Sequence, residues 1–221
     1  MRIENIQKSY GKKIVLKNIN FTAEKGKCIG LLGGNGSGKS TLISIIAGVQ
    51  KGDGNGKVIF EDKDLLRDGN LRSEVIGYVP QSTPLLEELS ALDNLRLWFP
   101  EKKIKESLTS GVLGMLGIDD FLKVQVLKMS GGMKKRLAIG CAVAHNPRVL
   151  LLDEPSAALD LVCKERIANY IKEFKKQGGT VILATHDVGE LELCDELYIL
   201  KGGALNKFEF DGNVHRLVGS L

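Results

Sequence analysis

The chain has 221 residues, of which 43% are hydrophobic and 26% are charged. This composition is that of an ordinary globular protein, and it excludes a disordered, collagen-like or coiled-coil chain. The formal net charge of +4 is spread along the sequence without a dense basic block, so nucleic acid is not an expected partner.

The first part of the chain predicts strands that are separated by tight turns. Arg2–Ser9 and Ile14–Phe21 alternate apolar and polar residues around a turn, which is typical of an antiparallel hairpin. Cys28–Leu32 is a short apolar run of the buried-strand type, and a glycine-rich loop leads from it into a helix predicted over Lys39–Gly48. Lys57–Phe60 is predicted as another short strand.

The middle of the chain changes to a helical pattern. Apolar residues recur near helical spacing from Pro84 to Lys128, so we predict a helical insertion over residues 82–146. Trp98 and Phe99 lie in this stretch, where an apolar core or a groove for a partner is expected. The basic residues Lys102, Lys103, Lys105, Lys134, Lys135 and Arg136 are expected to be exposed to solvent.

Strand and helix patterns alternate in the last third. Such alternation predicts a parallel sheet with crossover connections. The predicted strands are Arg148–Leu152, Thr180–Ala184, Glu196–Lys201 and Ala204–Phe210, and the predicted helices are Leu161–Gln177 and Val188–Cys194.

The loop between the strand at Cys28–Leu32 and its helix fits the pattern G-x-x-x-x-G-K-[ST]. Its glycines let successive backbone N–H groups point at an anion, and the helix N-terminus adds its positive dipole end. Lys39 supplies a charge for the β- and γ-phosphates, and Ser40 supplies a hydroxyl for Mg²⁺. The predicted ATP-binding residues of the loop are Gly33, Gly34, Asn35, Gly36, Ser37, Gly38, Lys39, Ser40 and Thr41.

Two carboxylates follow the apolar strand Arg148–Leu152. Asp153 emerges at the carboxyl end of that strand, where ligands bind in open α/β sheets, and it can hold Mg²⁺ together with Ser40. Glu154 points in another direction, so it can orient and deprotonate a water that attacks the γ-phosphate. The fold class expected is therefore α/β: a P-loop NTPase core with a mainly parallel sheet, an N-terminal antiparallel β subdomain and a helical insertion subdomain.

The order of the short motifs resembles that of the ATP-binding subunit of a bacterial ABC transporter over almost the whole chain. Tyr10 resembles the aromatic residue that stacks on adenine, and Gln81 resembles the glutamine that contacts Mg²⁺ and links two subdomains. Met129–Met133 resembles the signature sequence, usually L-S-G-G-Q. Asp160 ends a segment similar to the D-loop, and His186 resembles the switch histidine.

The resemblance implies that each ATP lies between two copies facing head to tail. The helix start after Ser130 is a second anion site by the dipole argument, which fits that arrangement. The implied residues are Ser130, Gly131, Gly132 and Met133 for ATP in trans, Asp160 for the dimer contact, Glu154 and His186 for catalysis, and Ser40, Gln81 and Asp153 for Mg²⁺.

The chain departs from the family pattern at three places that carry no catalytic group. Met133 stands where Gln is usual, Met129 replaces Leu with similar volume, and Ala158 stands in the D-loop where Gly is common. The residue at Ala158 must tolerate a backbone turn. Because Lys39, Glu154 and His186 are all present, a hydrolysing enzyme is expected.

The expected function is that of an ATP-hydrolysing subunit that powers a transporter with separate transmembrane subunits. Its expected partners are a second copy or a paralogous ATPase subunit, and transmembrane subunits that dock near Gln81 and Leu85–Phe99, with Glu87 and Glu88 at the polar rim. No membrane span or secretory signal is visible, so a cytoplasmic protein at the inner face of the cell membrane is expected.

The resemblance also implies a direction of transport and a domain organisation. The short ending after His186 and the compact insertion resemble the small ATPase subunits of bacterial exporters. A non-transport ATPase of the same superfamily, such as that of an iron–sulfur assembly or cell-division complex, is the alternative. The chain is expected to be one ATP-binding domain over 1–221, with a core at 1–81 and 147–221 and a helical subdomain with the signature at 82–146.

Overall fold

The computed structural model describes residues 1–220, which form two sheets and the helices around them. The strands are β1 (Arg2–Tyr10), β2 (Lys13–Thr22), β3 (Cys28–Leu32), β4 (Lys57–Phe60), β5 (Lys63–Asp64), β6 (Ile76–Val79), β7 (Val149–Asp153), β8 (Thr180–Ala184), β9 (Glu196–Lys201) and β10 (Ala204–Phe208). The α-helices are α1 (Lys39–Ile46), α2 (Gly69–Val75), α3 (Ala91–Arg96), α4 (Glu101–Ser110), α5 (Val112–Met115), α6 (Gly131–Ala142), α7 (Leu161–Lys176), α8 (Val188–Leu191) and α9 (Val214–Ser220). In this part of the chain no helix is both long and apolar enough to span a bilayer.

The first sheet is antiparallel and has the strand order β2-β1-β4-β5. Strands β1 and β2 form the predicted hairpin, which joins Arg2 to Thr22 at one end and Tyr10 to Lys13 at the turn. Ile3 and Ile6 are buried whereas the polar residues beside them are not, as expected for a strand with one face on a core. The predicted hairpin is therefore confirmed.

The second sheet has the strand order β10-β9-β3-β8-β7-β6. All neighbouring strands in it are parallel except β9 and β10, which pair antiparallel at one edge. The predicted crossover topology is confirmed. Because β6, β7, β8 and β3 are parallel neighbours, their carboxyl ends meet at one edge of the sheet, where the functional loops begin.

Cores on both faces bury the parallel sheet, which explains why its strands are apolar runs and not alternating patterns. Val149 and Leu151 of β7 point to the core that contains α1 and the antiparallel sheet. Leu150 and Leu152 point to the opposite core, which contains α6, α7 and the insertion helices. The edge where the carboxyl ends of the parallel strands meet is therefore held between two packed layers.

The segment between β6 and β7 contains α3, α4, α5 and α6, as the helical pattern of the sequence predicts. Its apolar centre includes Leu95, Ile104, Leu113 and Leu137, each at most 2% exposed. Phe99 is buried in the same core, whereas Trp98 is 63% exposed. The boundaries of the insertion as a subdomain stay a prediction.

Several short elements were not predicted, or end earlier than predicted. Helix α8 ends at Leu191 and not at Cys194, and α2 and α9 had no prediction. Helix α2 has seven residues, of which only Val75 is buried. Such a short helix presents too little of an apolar stripe for its period to be recognised.

The expectation that the basic run on α6 is exposed was wrong for two of its three residues. Lys135 and Arg136 are only 6% and 8% exposed. Each ammonium or guanidinium group donates to a pair of backbone carbonyls, which offsets the cost of burying its charge. Lys102, Lys103 and Lys105 on α4 are exposed as predicted.

Candidate nucleotide-binding site

The loop between β3 and α1 curls in a way that only glycine allows without strain. Gly36 and Gly38 have φ angles of +74° and +109°, and Gly38 is the residue directly before α1. A Cβ atom on Gly38 would lie 2.7 Å from Cγ1 of Val15, so the β2 side chain also closes this position to other residues. The predicted phosphate loop is thus held at the N-terminus of α1.

Lys39 lies at the base of this loop and is 5% exposed. Its Nζ donates to the carbonyl oxygens of Gly33 at 2.7 Å and Gly34 at 3.3 Å. Burial lowers the pKa of the ammonium group, and the nearby Glu154 and Asp153 carboxylates act against that shift. The loop carbonyls therefore hold the Lys39 ammonium in place without a bound anion.

An open cavity of about 460 Å³ lies over the loop. Its lining residues are Tyr10, Lys13, Val15, Asn35, Gly36, Ser37, Gly38, Lys39, Ser40, Thr41, Gln81 and Glu154. The Tyr10 ring is half exposed, and the ammonium of Lys8 lies 5.5 Å from its centroid. This position is suited to stacking on a planar base, as predicted for Tyr10.

Sequence reasoning missed two residues that line this cavity, Lys13 and Val15. Both belong to β2, directly after the hairpin turn. The turn at Gly11 brings β2 back toward the glycine loop, but sequence spacing does not say which loop a strand will approach.

Glu154 contacts two other residues that were predicted for the site. Its Oε2 accepts a hydrogen bond of 2.9 Å from Nε2 of Gln81, and its Oε1 lies 3.3 Å from Nδ1 of His186. Glu154 has a φ angle of +48°, which turns the chain sharply after Asp153, and its N–H donates to the carbonyl of Ala184. A non-glycine residue in this region of φ is uncommon and is often found at functional sites.

Asp153 lies deeper, at the end of β7, and is 2% exposed. Burial raises the pKa of its carboxyl group, and the Ser40 hydroxyl beside it acts in the opposite direction. Its Oδ1 is buried and has no hydrogen-bond partner within the chain. A buried oxygen of this kind needs a partner, and a cation or its bound water can supply one.

The donor set at this edge fits Mg²⁺. Ser40, Gln81 and Asp153 offer the oxygen ligands that this ion prefers. Within residues 1–220, no three His, Cys, Asp or Glu side chains cluster in a way that could hold a metal ion. Mg²⁺ usually takes one or two carboxylates together with substrate phosphates and water, so a full protein cage is not required.

The signature segment forms a separate site at the start of α6. Ser130 accepts a hydrogen bond of 3.2 Å from the Met133 N–H, which caps the helix. The Met133 side chain packs against the insertion core, which accounts for an apolar residue in this position. Next to it, Asp160 caps α7 by accepting from the Cys163 N–H at 2.8 Å.

The two helix starts are in contact with each other but not with the cavity. A Cβ atom on Gly132 would lie 2.5 Å from Sγ of Cys163 and 3.7 Å from Oδ2 of Asp160. Neither Asp160 nor any residue of the segment Ser130–Met133 lines the nucleotide cavity. One chain therefore brings together the phosphate loop, Gln81, Glu154 and His186, and leaves the signature apart from them.

The D-loop residue Ala158 has a φ angle of +59°. This is the left-handed region, which costs a residue with a Cβ atom roughly 1–2 kcal/mol. The expectation that this position requires a tolerant residue is confirmed, and the chain bears the strain of an alanine there.

The family profile described as ABC transporter matches residues 16–157, which is more than half of the chain. The lantibiotic transport ATP-binding protein SrtF of Streptococcus pyogenes is 35% identical over 96% of this chain and 92% of its own length. The Nod factor export ATP-binding protein I of Rhizobium etli is 33% identical over 98% of this chain and 69% of its own length. The spermidine/putrescine import ATP-binding protein PotA of Spiroplasma citri is 35% identical over 94% of this chain and 60% of its own length.

A solved structure supports the same relationship. It is the dimeric post-hydrolysis state of the ATP-binding cassette MJ0796 bound to ADP and Pi. The two chains superpose with a TM-score of 0.82 at 28% identity, over 95% of this chain and 99% of the other.

Proposed function

This chain belongs to the ABC transporter family of ATP hydrolases, and we propose that it powers a transporter by closing on ATP as a head-to-tail pair of subunits. The main support for this proposal is that one chain has two anion sites that lie apart from each other. The phosphate loop opens into the cavity, whereas Ser130 and Gly131 lie at the start of α6, outside its lining. A second copy, or a paralogous ATPase subunit, supplies the missing half of each site.

Glu154 acts as the general base in this proposal. Gln81 and His186 each contact one oxygen of its carboxylate, so the side chain is oriented toward the cavity that it lines. The carboxylate orients the attacking water and accepts its proton. In this proposal His186, which lies beside Glu154, contacts the γ-phosphate.

The phosphate loop supplies most of the charge stabilisation. Backbone N–H groups at the N-terminus of α1 and the Lys39 ammonium neutralise the phosphate oxygens, and phosphoryl transfer requires little covalent chemistry beyond this. Ser40, Gln81 and Asp153 would hold Mg²⁺, which neutralises charge on the β- and γ-phosphate oxygens when it is bound.

Binding of ATP joins the two subunits, and release of the products lets them separate. Transmembrane subunits convert this motion into alternating access, and they hold the protein at the cytoplasmic face of the membrane. We propose export as the direction of transport, because a relative that matches 98% of this chain is named for Nod factor export. A relative named for import matches 94% of the chain, so the proposed direction rests on the Nod factor relative.

The docking surface for a transmembrane subunit is proposed over Leu85–Phe99. This segment follows Gln81 and keeps large apolar side chains on the surface, with Leu86, Leu97 and Trp98 exposed by 50%, 58% and 63%. The buried Asn94 fixes its shape, because the Asn94 side chain accepts from the Leu86 N–H at 2.9 Å and donates to the Leu86 carbonyl at 3.1 Å. An apolar surface on a fixed backbone is suited to receive a short amphipathic helix.

Charge reversal at the rim of this surface tests the transporter assignment. Glu87 and Glu88 are exposed, and Glu87 makes only a surface pair of 3.4 Å with Lys134, worth at most about 1 kcal/mol. The double variant Glu87→Lys/Glu88→Lys should keep the basal ATPase of the isolated subunit. It should lose co-purification with the membrane subunit and lose transport in reconstituted vesicles. Unchanged co-purification and transport would place the docking surface elsewhere.

A further inference from the structure

We infer that Lys135 is a positioning residue for ATP hydrolysis, which fixes Gln81 to the signature helix α6 and so sets the position of Glu154. The inference rests on the proposed function, because it assumes that Glu154 is the base. It assigns a role to a buried cation that does not itself line the nucleotide cavity and that contacts Gln81, one of the three proposed metal ligands, through the Gln81 backbone carbonyl.

The contacts of Lys135 converge on one residue. Its Nζ donates to the carbonyl oxygen of Pro80 at 3.1 Å and to that of Gln81 at 3.0 Å. These two carbonyls flank the Cα atom of Gln81, so the ammonium holds the Gln81 backbone from both sides. Because Lys135 is 6% exposed, water does not compete for these bonds as it would at the surface.

Gln81 passes this constraint to the base. Its side-chain amide donates to Oε2 of Glu154 at 2.9 Å, and the other carboxylate oxygen lies 3.3 Å from His186. A continuous series of polar contacts therefore runs from α6 through Lys135 and Gln81 to Glu154. Helix α6 begins at the signature segment, which is the proposed contact to ATP in the partner subunit.

Lys135 does not line the nucleotide cavity, so it has no direct contribution to make to ATP binding. The carboxylates of the site nevertheless affect the pKa of its ammonium group. Burial lowers the pKa of its ammonium group, and Asp153, Glu154 and Glu190 act in the opposite direction.

Arg136, the next residue in this helix, is a buried cation whose contacts are purely structural. Arg136 donates to the carbonyls of Leu116 and Gly117 and stacks 4.9 Å from the centroid of Phe121. All of these partners belong to the insertion itself. The acceptors of Lys135 belong instead to the segment that leads from β6 into the catalytic site, which distinguishes its role.

The variant Lys135→Met removes the ammonium group that donates both hydrogen bonds. It keeps an unbranched side chain of similar length that can fill the same space. The kcat for ATP should fall by about 10- to 100-fold, because a small displacement of the base is costly, while KM changes by less than about threefold. Lys134→Met is the matched control, since Lys134 is on the same helix with its ammonium paired to Glu87 at the surface. It should leave kcat unchanged.

A double-mutant cycle separates positioning from a general loss of structure. In a Gln81→Ala background, Lys135→Met should lower kcat by less than about twofold more, because the contact that it supports is already gone. An equal fold-loss in both backgrounds, or a rise in KM without loss of kcat, would overturn the inference. If Lys135→Met does not fold, Lys135→Leu carries the same expectation, because leucine also has no donor for the two carbonyls. A wild-type chain without ATPase activity would contradict the proposed function instead.

Discussion

Replacement of Glu154 by Gln should lower kcat for ATP hydrolysis by about 10²- to 10⁴-fold while ATP binding persists. The amide keeps the size of the carboxylate and can still accept from Gln81, so the cavity keeps its shape. It cannot take a proton from the attacking water. Phosphate release under saturating ATP measures the loss, and the unhydrolysed nucleotide should trap the variant as a dimer.

The matched control for this variant is Glu74→Gln. Glu74 is exposed on α2 and does not line the cavity, so the same chemical change there should leave turnover unchanged. Wild-type turnover in Glu154→Gln would remove Glu154 from the role of the base, and the position of its carboxylate between Gln81 and His186 would then need another explanation.

Replacement of Lys39 by Ala should act on binding, because it removes the buried cation of the phosphate loop. A hydrogen bond to a charged group contributes about 1.5–3 kcal/mol, which corresponds to a loss of ATP affinity of roughly 10- to 100-fold. Fluorescence titration with a nucleotide analogue measures this loss directly. Hydrolysis should fall as well, but the change in dissociation constant distinguishes this variant from Glu154→Gln.

Lys12→Ala controls for a general effect of charge. Lys12 is exposed in the hairpin turn beside Tyr10 and does not line the cavity, so its loss should leave affinity unchanged. Equal affinity of Lys39→Ala and the wild type would show that the glycine loop does not hold the phosphates.

The sequence predicted the elements whose signals are local. The phosphate loop is recognisable because its glycines, Lys39 and Ser40 must occur at fixed spacing between a strand and a helix. The apolar run before Asp153 similarly predicts a buried strand with a carboxylate at its end. The structure adds that Glu154 is held between Gln81 and His186, which lie in the loops after β6 and β8 and are far from it in the sequence.

Other features depend on tertiary packing that sequence patterns do not contain. Lys135 and Arg136 belong to a basic run that would suit an exposed helix face, but carbonyls from distant segments compensate their burial. Lys13 and Val15 line the cavity only because β2 returns toward the glycine loop. Trp98 remains exposed although its neighbour Phe99 is buried, which places it where a partner can reach it.

If the signature of one subunit completes the ATP site of another, two inactive variants with complementary defects should restore activity when they are mixed. Lys39→Ala disables the phosphate loop. Gly131→Asp places a negative charge at the signature, and it should fold because a Cβ atom on Gly131 approaches only Leu159, at 3.9 Å. An acidic residue is also tolerated at the start of a helix.

Each variant alone should be nearly inactive in phosphate release. In a mixture of equal amounts, every mixed pair contains one site with an intact loop and an intact signature, so about one quarter of wild-type activity should return. Recovery at that level is the result that a head-to-tail pair predicts. A mixture no more active than its separate components would contradict it.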